Sequence, residues 1–375
     1  MPDQKLPIKI FSKRGEQDER YTEGGKGEPP KWLLSNAEAA VRAAELMETL
    51  VETAQVIASR PKDREFIPAV VKISLRQDAL AKNHRTETGK IFNRKNEYNF
   101  IGMSEDTDLL VKIDSSDHLN FINSNLQKAA SFVWGISAIQ SMEPFRPDIE
   151  LPTDNNTSLK VKLINFQDRS LNESVEQVFE QTLNRLNVKL TKKTRYSSDI
   201  TVFKLRNVRA EALEEIQGFE ALFSLTPMPS YTVTQDEVGT GSNIPLKEPV
   251  PGEEYPTVGI LDSGIEPIEH LNPWLDPRRF SAYDDDDIDR GHGTFVAGIT
   301  LYGDELEKQG WVNVGAVRLL DATVFPKPGV FVDEDQLIDN IDGAIRKYLD
   351  IKIWNLSLGT RTECSNYEFS DFGKA

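Results

Sequence analysis

Two short motifs in the last third of the sequence place ionisable residues beside glycines. Asp262 lies in LDSGIEP, and His292 lies in RGHGTFVAGI. Histidine is the side chain best suited to act as a general base near neutral pH, and a buried carboxylate can fix its tautomer. The two residues are therefore candidates for an acid–base pair. From their spacing alone, an aspartate that caps a turn and a histidine packed at a helix start are the alternative.

The segments around both residues predict a sheet of parallel strands. TVGILD (257–262) is a continuously apolar strand of the kind that is buried on both faces of such a sheet. A helix is expected directly after His292, followed by a strand in AVRLLDATVF, an amphipathic helix over 333–349 and a buried strand over 351–358. This alternation predicts a doubly wound α/β sheet, whose functional sites form at the carboxyl ends of strands.

Three motifs in chain order resemble the subtilisin-like serine proteases, the subtilase family. VGILDSGIEP is similar to the Asp motif of that family, GHGTFVAGI to its His motif, and IWNLSLG to a strand that lines its substrate cleft. The resemblance covers about residues 255–375. It implies a serine endopeptidase in which Asp262 orients His292 and His292 acts as the general base.

The resemblance also assigns the end of the third motif to substrate binding. It implies that Ser357, Leu358 and Gly359 form part of the cleft wall, where main-chain groups pair with an extended peptide. For Ser357, an ordinary place at a strand end is the alternative.

The sequence departs from the subtilase pattern at the nucleophile. In that family the catalytic serine comes last, in a Gly-Thr-Ser motif that opens a helix, with an oxyanion asparagine before it. Residues 293–375 contain no Gly-Thr-Ser, and GTGS at 239–242 precedes the Asp motif. We therefore expect the chain to be a fragment of a longer protease, truncated before the Ser motif and inactive by itself. A naturally split or inactive homologue is the alternative.

The element order β-α-β-β-α-β occurs twice before the Asp motif. Residues 66–146 and 157–232 each predict a small α/β module of the split βαβ type. Subtilases often carry a propeptide of this form, so the second module resembles a propeptide whose tail can occupy the cleft and inhibit the protease. An unrelated docking module is the alternative.

The predicted fold class is therefore α/β, with ferredoxin-like or propeptide-like modules before the first half of a subtilisin-like doubly wound parallel sheet. The remaining segments complete the predicted organisation: a flexible arm (1–31), a helix (32–60), a linker (234–256) and the amino-terminal part of a subtilase catalytic domain (257–375).

Composition limits the classes of partner. The sequence has 44 Lys and Arg against 60 Asp and Glu, a formal net charge of −16, which argues against nucleic-acid binding. It contains neither an apolar run long enough to span a membrane nor the apolar core of a secretory signal. The single cysteine, Cys364, fits a reducing compartment. We expect a cytoplasmic protein that binds a peptide or protein substrate, and neither nucleic acid nor a membrane.

No cofactor or metal is expected. The four histidines are too few and too scattered to indicate a zinc site. The acidic run YDDDDID (283–289) offers carboxylates of the kind that bind a structural Ca²⁺, although a solvated loop fits it better. A third role for this run is to attract basic substrate side chains.

The organisation of the whole chain resembles a narrower group of proteins. Its long amino-terminal part, with IKIF, a polar segment and an Ala-rich helix, looks like that of bacterial subtilases encoded beside an AAA-type ATPase. Those two-gene systems act in anti-phage defence, so the resemblance implies an AAA-type ATPase as a partner. The alternative for the whole chain is a catalytically inactive, subtilase-like binding or regulatory protein.

Overall fold

A computed structural model describes residues 29–375 except 96, 105–106, 153, 155–156, 234–243, 308–315 and 358–369. Most of the predicted arm, part of the predicted linker, and Leu358, Gly359 and Cys364 thus lie outside the described residues. The chain divides into two compact units. The first holds described residues up to Lys192 and Phe203–Thr226, and the second holds Lys193–Val202 and Pro227–Ala375. No helix in the described ranges is long and apolar enough to cross a membrane.

The first unit begins with a helix and an antiparallel sheet. Its elements are α1 (Asn36–Ala58), β1 (Ala69–Leu75), α2 (Lys82–Phe92), β2 (Phe100–Ser104), β3 (Asp108–Ile113), α3 (Ser116–Gln127), α4 (Val133–Ala138) and β4 (Ile139–Pro144). The strand order is β2-β3-β1-β4. Helix α1 starts at a capping box in which the side chains of Ser35 and Glu38 each accept a hydrogen bond from the other's backbone N–H. Its buried residues, such as Leu46 and Leu50, pack into the core of this sheet.

A second module of the same form follows, mostly within the first unit, although its residues Lys193–Val202 belong to the second. Its elements are β5 (Asp148–Ile149), β6 (Leu159–Leu163), α5 (Arg169–Arg185), β7 (Lys189–Arg195), β8 (Thr201–Arg206), α6 (Ala210–Gln217) and β9 (Leu222–Pro227). The strand order is β5-β9-β6-β8-β7, so β6 to β9 repeat the arrangement of β1 to β4. The predicted β-α-β-β-α-β order is confirmed in both modules. Ile67 and Val70 of the first module belong to the same apolar cluster as Phe179 of the second.

The second unit contains the predicted parallel sheet. Its elements are β10 (Ser230–Tyr231), β11 (Thr257–Asp262), β12 (Leu275–Ser281), α7 (Gly291–Glu307), β13 (Arg318–Thr323), β14 (Val332–Asp333), α8 (Glu334–Lys347), β15 (Ile353–Asn355) and α9 (Asp371–Lys374). The order β12-β13-β11-β15 has every neighbouring pair parallel. One face of the sheet packs on α7 and the other on α8. The expected α/β class with a parallel sheet is thereby confirmed.

Two strands differ from the sequence expectations. Strand β12 was not predicted because LDPRRFS lacks apolar alternation and contains a proline. It pairs with β13 and with no other described strand, and a proline is tolerated at a sheet edge. The strand predicted over 351–358 is present at Ile353–Asn355, but its predicted burial is wrong. Strand β15 is shorter, and Ile353 is 57% exposed because β11 is the only described strand beside it.

Two helices also differ from expectation. The sequence RQDALAKNHR predicts a short helix after β1, but α2 begins later, at Lys82, and extends to Phe92. The sequence ISAIQSMEPF predicts a closing strand, but its first three residues belong to α4 and the strand starts at Ile139. Local propensity locates the ends of helices and strands poorly.

Candidate active site

Asp262 and His292 form a hydrogen-bonded pair. The distance from His292 Nδ1 to Asp262 Oδ1 is 2.7 Å. Asp262 ends strand β11 and is 1% exposed, whereas the His292 side chain is 27% exposed. An ionised carboxylate only accepts hydrogen bonds, so the proton of a neutral His292 lies on Nδ1 and Nε2 keeps its lone pair. This arrangement can hold an imidazole ready to take a proton from a third group.

The strand end around Asp262 fixes the carboxylate. Its Oδ1 also accepts the backbone N–H of Ser263 at 2.7 Å. Its Oδ2 is buried and has no hydrogen-bond partner among the described residues. Gly264 has φ of +102°, which only glycine adopts readily, and this turns the chain directly after the strand.

The loop after Asp262 lies against the start of the helix that carries His292. The hydroxyl of Ser263 accepts the backbone N–H of Gly293 at 3.2 Å. A Cβ atom at Gly293 would collide with the backbone carbonyl of Gly264, so glycine is required there for close approach. The glycine beside the histidine thus brings the two motif loops together.

Thr294 makes a second connection between the two loops. Its hydroxyl donates to the carbonyl of Arg290 at 2.5 Å and accepts the backbone N–H of Glu266 at 2.8 Å. Sequence reasoning had assigned no role to Ser263, Thr294 or Arg290. The only feature of the sequence that could have indicated these roles is that the three residues lie close to Asp262 or His292.

Ser357 follows strand β15 at the same edge of the sheet. The register pairs Ile260 with Asn355, so by count Ser357 stands level with Asp262. Ser357 is exposed, and its hydroxyl donates to Asn355 Oδ1 at 2.6 Å. Leu358 and Gly359 lie outside the described residues, so their assignment to a cleft wall stays a prediction.

The acidic run before His292 is bound to basic side chains. Asp285 accepts hydrogen bonds from Arg279 at 3.1 Å and from Arg290 at 2.7 Å, and the first of these holds the pKa of Asp285 below its ordinary value. Asp287 pairs with Lys327 at 3.3 Å. Within the described ranges, no group of His, Cys, Asp and Glu side chains is placed to hold a metal ion.

A short segment of the second unit pairs with a strand near the site as an extended peptide would. Strand β10 pairs antiparallel with β14, matching Ser230 with Asp333 and Tyr231 with Val332. The Tyr231 hydroxyl donates to Glu334 at 2.9 Å, and burial is the main reason that the pKa of this tyrosine is raised. Val233 belongs to the same apolar cluster as Leu261, the residue before Asp262.

Comparison with known families agrees with this geometry. Residues 254–372 match the family model described as the Subtilase family, peptidase S8. This range contains both motif residues, the parallel sheet and its flanking helices. No curated protein matches the chain. The family match supports a serine peptidase of the subtilase type in general.

Proposed function

We propose that this chain supplies the acid–base pair of a serine endopeptidase that cleaves peptide bonds with an Asp-His-Ser triad. The observation that carries the proposal is the 2.7 Å bond between His292 Nδ1 and Asp262 Oδ1, inside the range that matches the subtilase family. His292 Nε2 takes the proton of a serine hydroxyl as the serine oxygen attacks the substrate carbonyl. The same proton then goes to the leaving amine, and water hydrolyses the acyl-enzyme. These steps need no cofactor.

The nucleophilic serine is proposed to come from outside these 375 residues. His292, Phe295 and Ile299 are spaced so that they lie on one face of helix α7. Phe295 is 44% exposed and Ile299 is 46% exposed, which leaves an apolar surface next to the imidazole. An element that packs on this surface would bring its serine within reach of Nε2, and burial of both side chains would favour its docking.

The proposal is tested by peptide hydrolysis in a form of the protein that carries the serine. Asp262→Asn and His292→Ala are each expected to lower kcat by about four to six orders of magnitude, the range seen when triad members are removed. The control is His270→Ala, which changes a histidine of the same unit that lies outside the pair. Unchanged hydrolysis in both triad variants would refute the Asp-His-Ser mechanism. No hydrolysis by the parent form that carries the serine would favour an inactive, subtilase-like binding or regulatory protein.

We further propose that Ser357, Leu358 and Gly359 line the substrate cleft. The support is that Ser357 stands level with Asp262 at the carboxyl edge of the sheet, where sites of parallel α/β sheets form. An extended peptide at this edge would pair with main-chain groups of the segment. The acidic run nearby would favour substrates with basic side chains through its field.

We also propose that the segment directly after β9, which contains β10 and forms the tail of the second module, restrains the peptidase. The support is the pairing of β10 with β14, together with hydrogen bonds from Glu334 N–H to the Pro229 carbonyl and from Gly329 N–H to the Thr232 hydroxyl. Tyr231→Ala removes one anchor of this segment and should raise the rate of hydrolysis at low substrate concentration. A rate equal to that of the parent protein would argue against restraint by the tail.

A cytoplasmic protein that works with an AAA-type ATPase in anti-phage defence remains our proposal for the biological setting. Its support is the resemblance of the amino-terminal organisation. Deletion of the gene in its native host should raise phage plating efficiency, and a His292→Ala gene should fail to restore protection. Equal plating with and without the gene would contradict the defence role.

A further inference from the structure

Arg290 lies between the two motif loops and contacts both. Its side-chain stem packs on the loop after Asp262: Cγ is 3.2 Å from the position that a Cβ atom on Gly264 would occupy. Its guanidinium Nη1 lies 3.7 Å from the carboxylate of Glu266. Its backbone carbonyl accepts both the N–H and the hydroxyl of Thr294, in the first turn of the helix that carries His292. Arg290 therefore joins the two loops, through its side chain to the loop after Asp262 and through its backbone carbonyl to the first turn of α7.

Arg290 is in turn connected to the parallel sheet by a line of ion pairs. Its guanidinium pairs with Asp285 at 2.7 Å, and Asp285 pairs with Arg279 of β12 at 3.1 Å. Arg279 Nε lies 3.1 Å from the carboxylate of Asp321 in β13, which is 8% exposed. We call Asp285, Arg279 and Asp321 the anchor line. It extends from the buried sheet to the residue two positions before His292.

The anchor line is better suited to orient the loop before α7 than to raise the free energy of unfolding. The Asp285 side chain is 70% exposed, and exposed ion pairs contribute little to the free energy of unfolding. Such pairs can hold the loop that leads into α7 in one orientation. Catalytic groups lose much of their effect when they are displaced by about 1 Å.

We infer that Arg290 is a positioning residue for the Asp262–His292 pair, held in place by the anchor line. The consequence for catalysis rests on the proposed function, whereas the effect on the hydrogen bond between the two side chains does not. Arg290 touches neither the reacting atoms nor the imidazole in this account. It acts by keeping the two loops at the distance that the Nδ1–Oδ1 hydrogen bond requires.

The test is the exchange of the His292 Nδ1 proton with water, measured by NMR on the whole 375-residue chain labelled at histidine. Arg290→Met keeps most of the apolar stem and removes the charge, and should speed exchange by about tenfold, the effect of weakening one charge-assisted hydrogen bond. Arg290→Lys keeps a charge and should restore part of the protection. The matched control, Arg346→Met, removes an exposed arginine paired with Asp342 on α8 and should leave exchange unchanged.

Asp285→Asn is the second variant, because its largely exposed side chain can be changed without disturbing a core. It should speed exchange in the same direction by a smaller factor. Protection equal to the parent protein in both Arg290→Met and Asp285→Asn would overturn the inference. Since this readout needs no serine, a negative result in the peptide hydrolysis test would leave it standing, and the two proposals can fail separately.

Discussion

At the scale of single residues, the proposed chemistry depends on which nitrogen of His292 carries the proton. Asp262 is almost fully buried, and its Oδ1 accepts from both His292 and the backbone of Ser263. These contacts favour the Nδ1–H form of the imidazole, which leaves Nε2 free to act as a base. Both residues could be singled out from the sequence because each stands in a motif with a distinctive local context, and their catalytic roles stay predictions.

A substitution at Gly293 tests the close approach of the two motif loops. Gly293→Ala would place a Cβ atom against the carbonyl of Gly264, so it should lower the free energy of unfolding by about 1–3 kcal/mol. The matched control is Gly298→Ala on the same helix, where no described atom beyond the backbone of that helix lies within 4 Å of the added carbon. This control should be neutral or stabilising by roughly 0.5–1 kcal/mol, since alanine favours helices. Equal effects in chemical denaturation would contradict the role given to Gly293.

A buried carboxylate gives the second prediction. Burial raises the pKa of Asp321 above its ordinary value, although the nearby Arg279 acts in the opposite direction. The folded state therefore binds this proton more tightly than the unfolded chain, so the contribution of Asp321 to stability falls as pH rises through its folded pKa. Relative to the parent protein, Asp321→Asn should become more stable as pH rises from the acid range towards neutrality.

The measurement is urea unfolding of the parent protein and of Asp321→Asn at several pH values. The readout is how the difference between their free energies of unfolding changes with pH. Asp342→Asn, an exposed carboxylate paired with Arg346, serves as the control and should show no such rise. A stability difference between Asp321→Asn and the parent that stays constant over this range would contradict a raised pKa.

At the scale of elements, the core of the second module contains aromatic packing between a helix and its sheet. Phe179 of α5 is fully buried and packs edge-on against Phe203 of β8, with ring centroids 5.1 Å apart. Phe179→Ala should lower the free energy of unfolding by about 3–5 kcal/mol. Val51→Ala, at an exposed site on α1, should change it by no more than about 0.5 kcal/mol. A loss below about 1 kcal/mol for Phe179→Ala would indicate that this core is packed loosely.

Element prediction succeeded where the apolar pattern was strong and failed where tertiary pairing decides. TVGILD and the amphipathic helix before IKIWN follow periodicities that point to one structure, and both were found. Strand β12 has two arginines and a proline, so only its pairing with β13 makes it a strand. The exposure of Ile353 could not be read from its sequence either, because burial depends on which strands lie alongside.

At the scale of the whole molecule, net charge gives the fourth prediction. A formal charge of −16 should prevent association with DNA or RNA, because non-specific binding requires clustered positive charge. We expect no change in the fluorescence anisotropy of a labelled duplex at physiological salt. Binding that weakens steeply with added salt would contradict this prediction and would point to a basic surface.

The two units differ in how much of their role the sequence reveals. The second carries motifs, and the family match covers the same residues, 254–372. The first could be predicted as two α/β modules because its helices and strands alternate clearly. Its role could not be derived in the same way, since repeated element order determines a shape and not a binding partner.

The central claim is that Asp262 holds His292 in the tautomer of a general base. The most direct measurement is the pair of imidazole nitrogen chemical shifts of His292 in the neutral protein, recorded with histidine labelled at nitrogen. The account predicts a protonated Nδ1 and an unprotonated Nε2 in the parent chain, and the opposite or a mixture in Asp262→Asn, because an amide can donate to Nδ1. A parent protein with Nε2 protonated, or an Asp262→Asn variant with unchanged shifts, would contradict it.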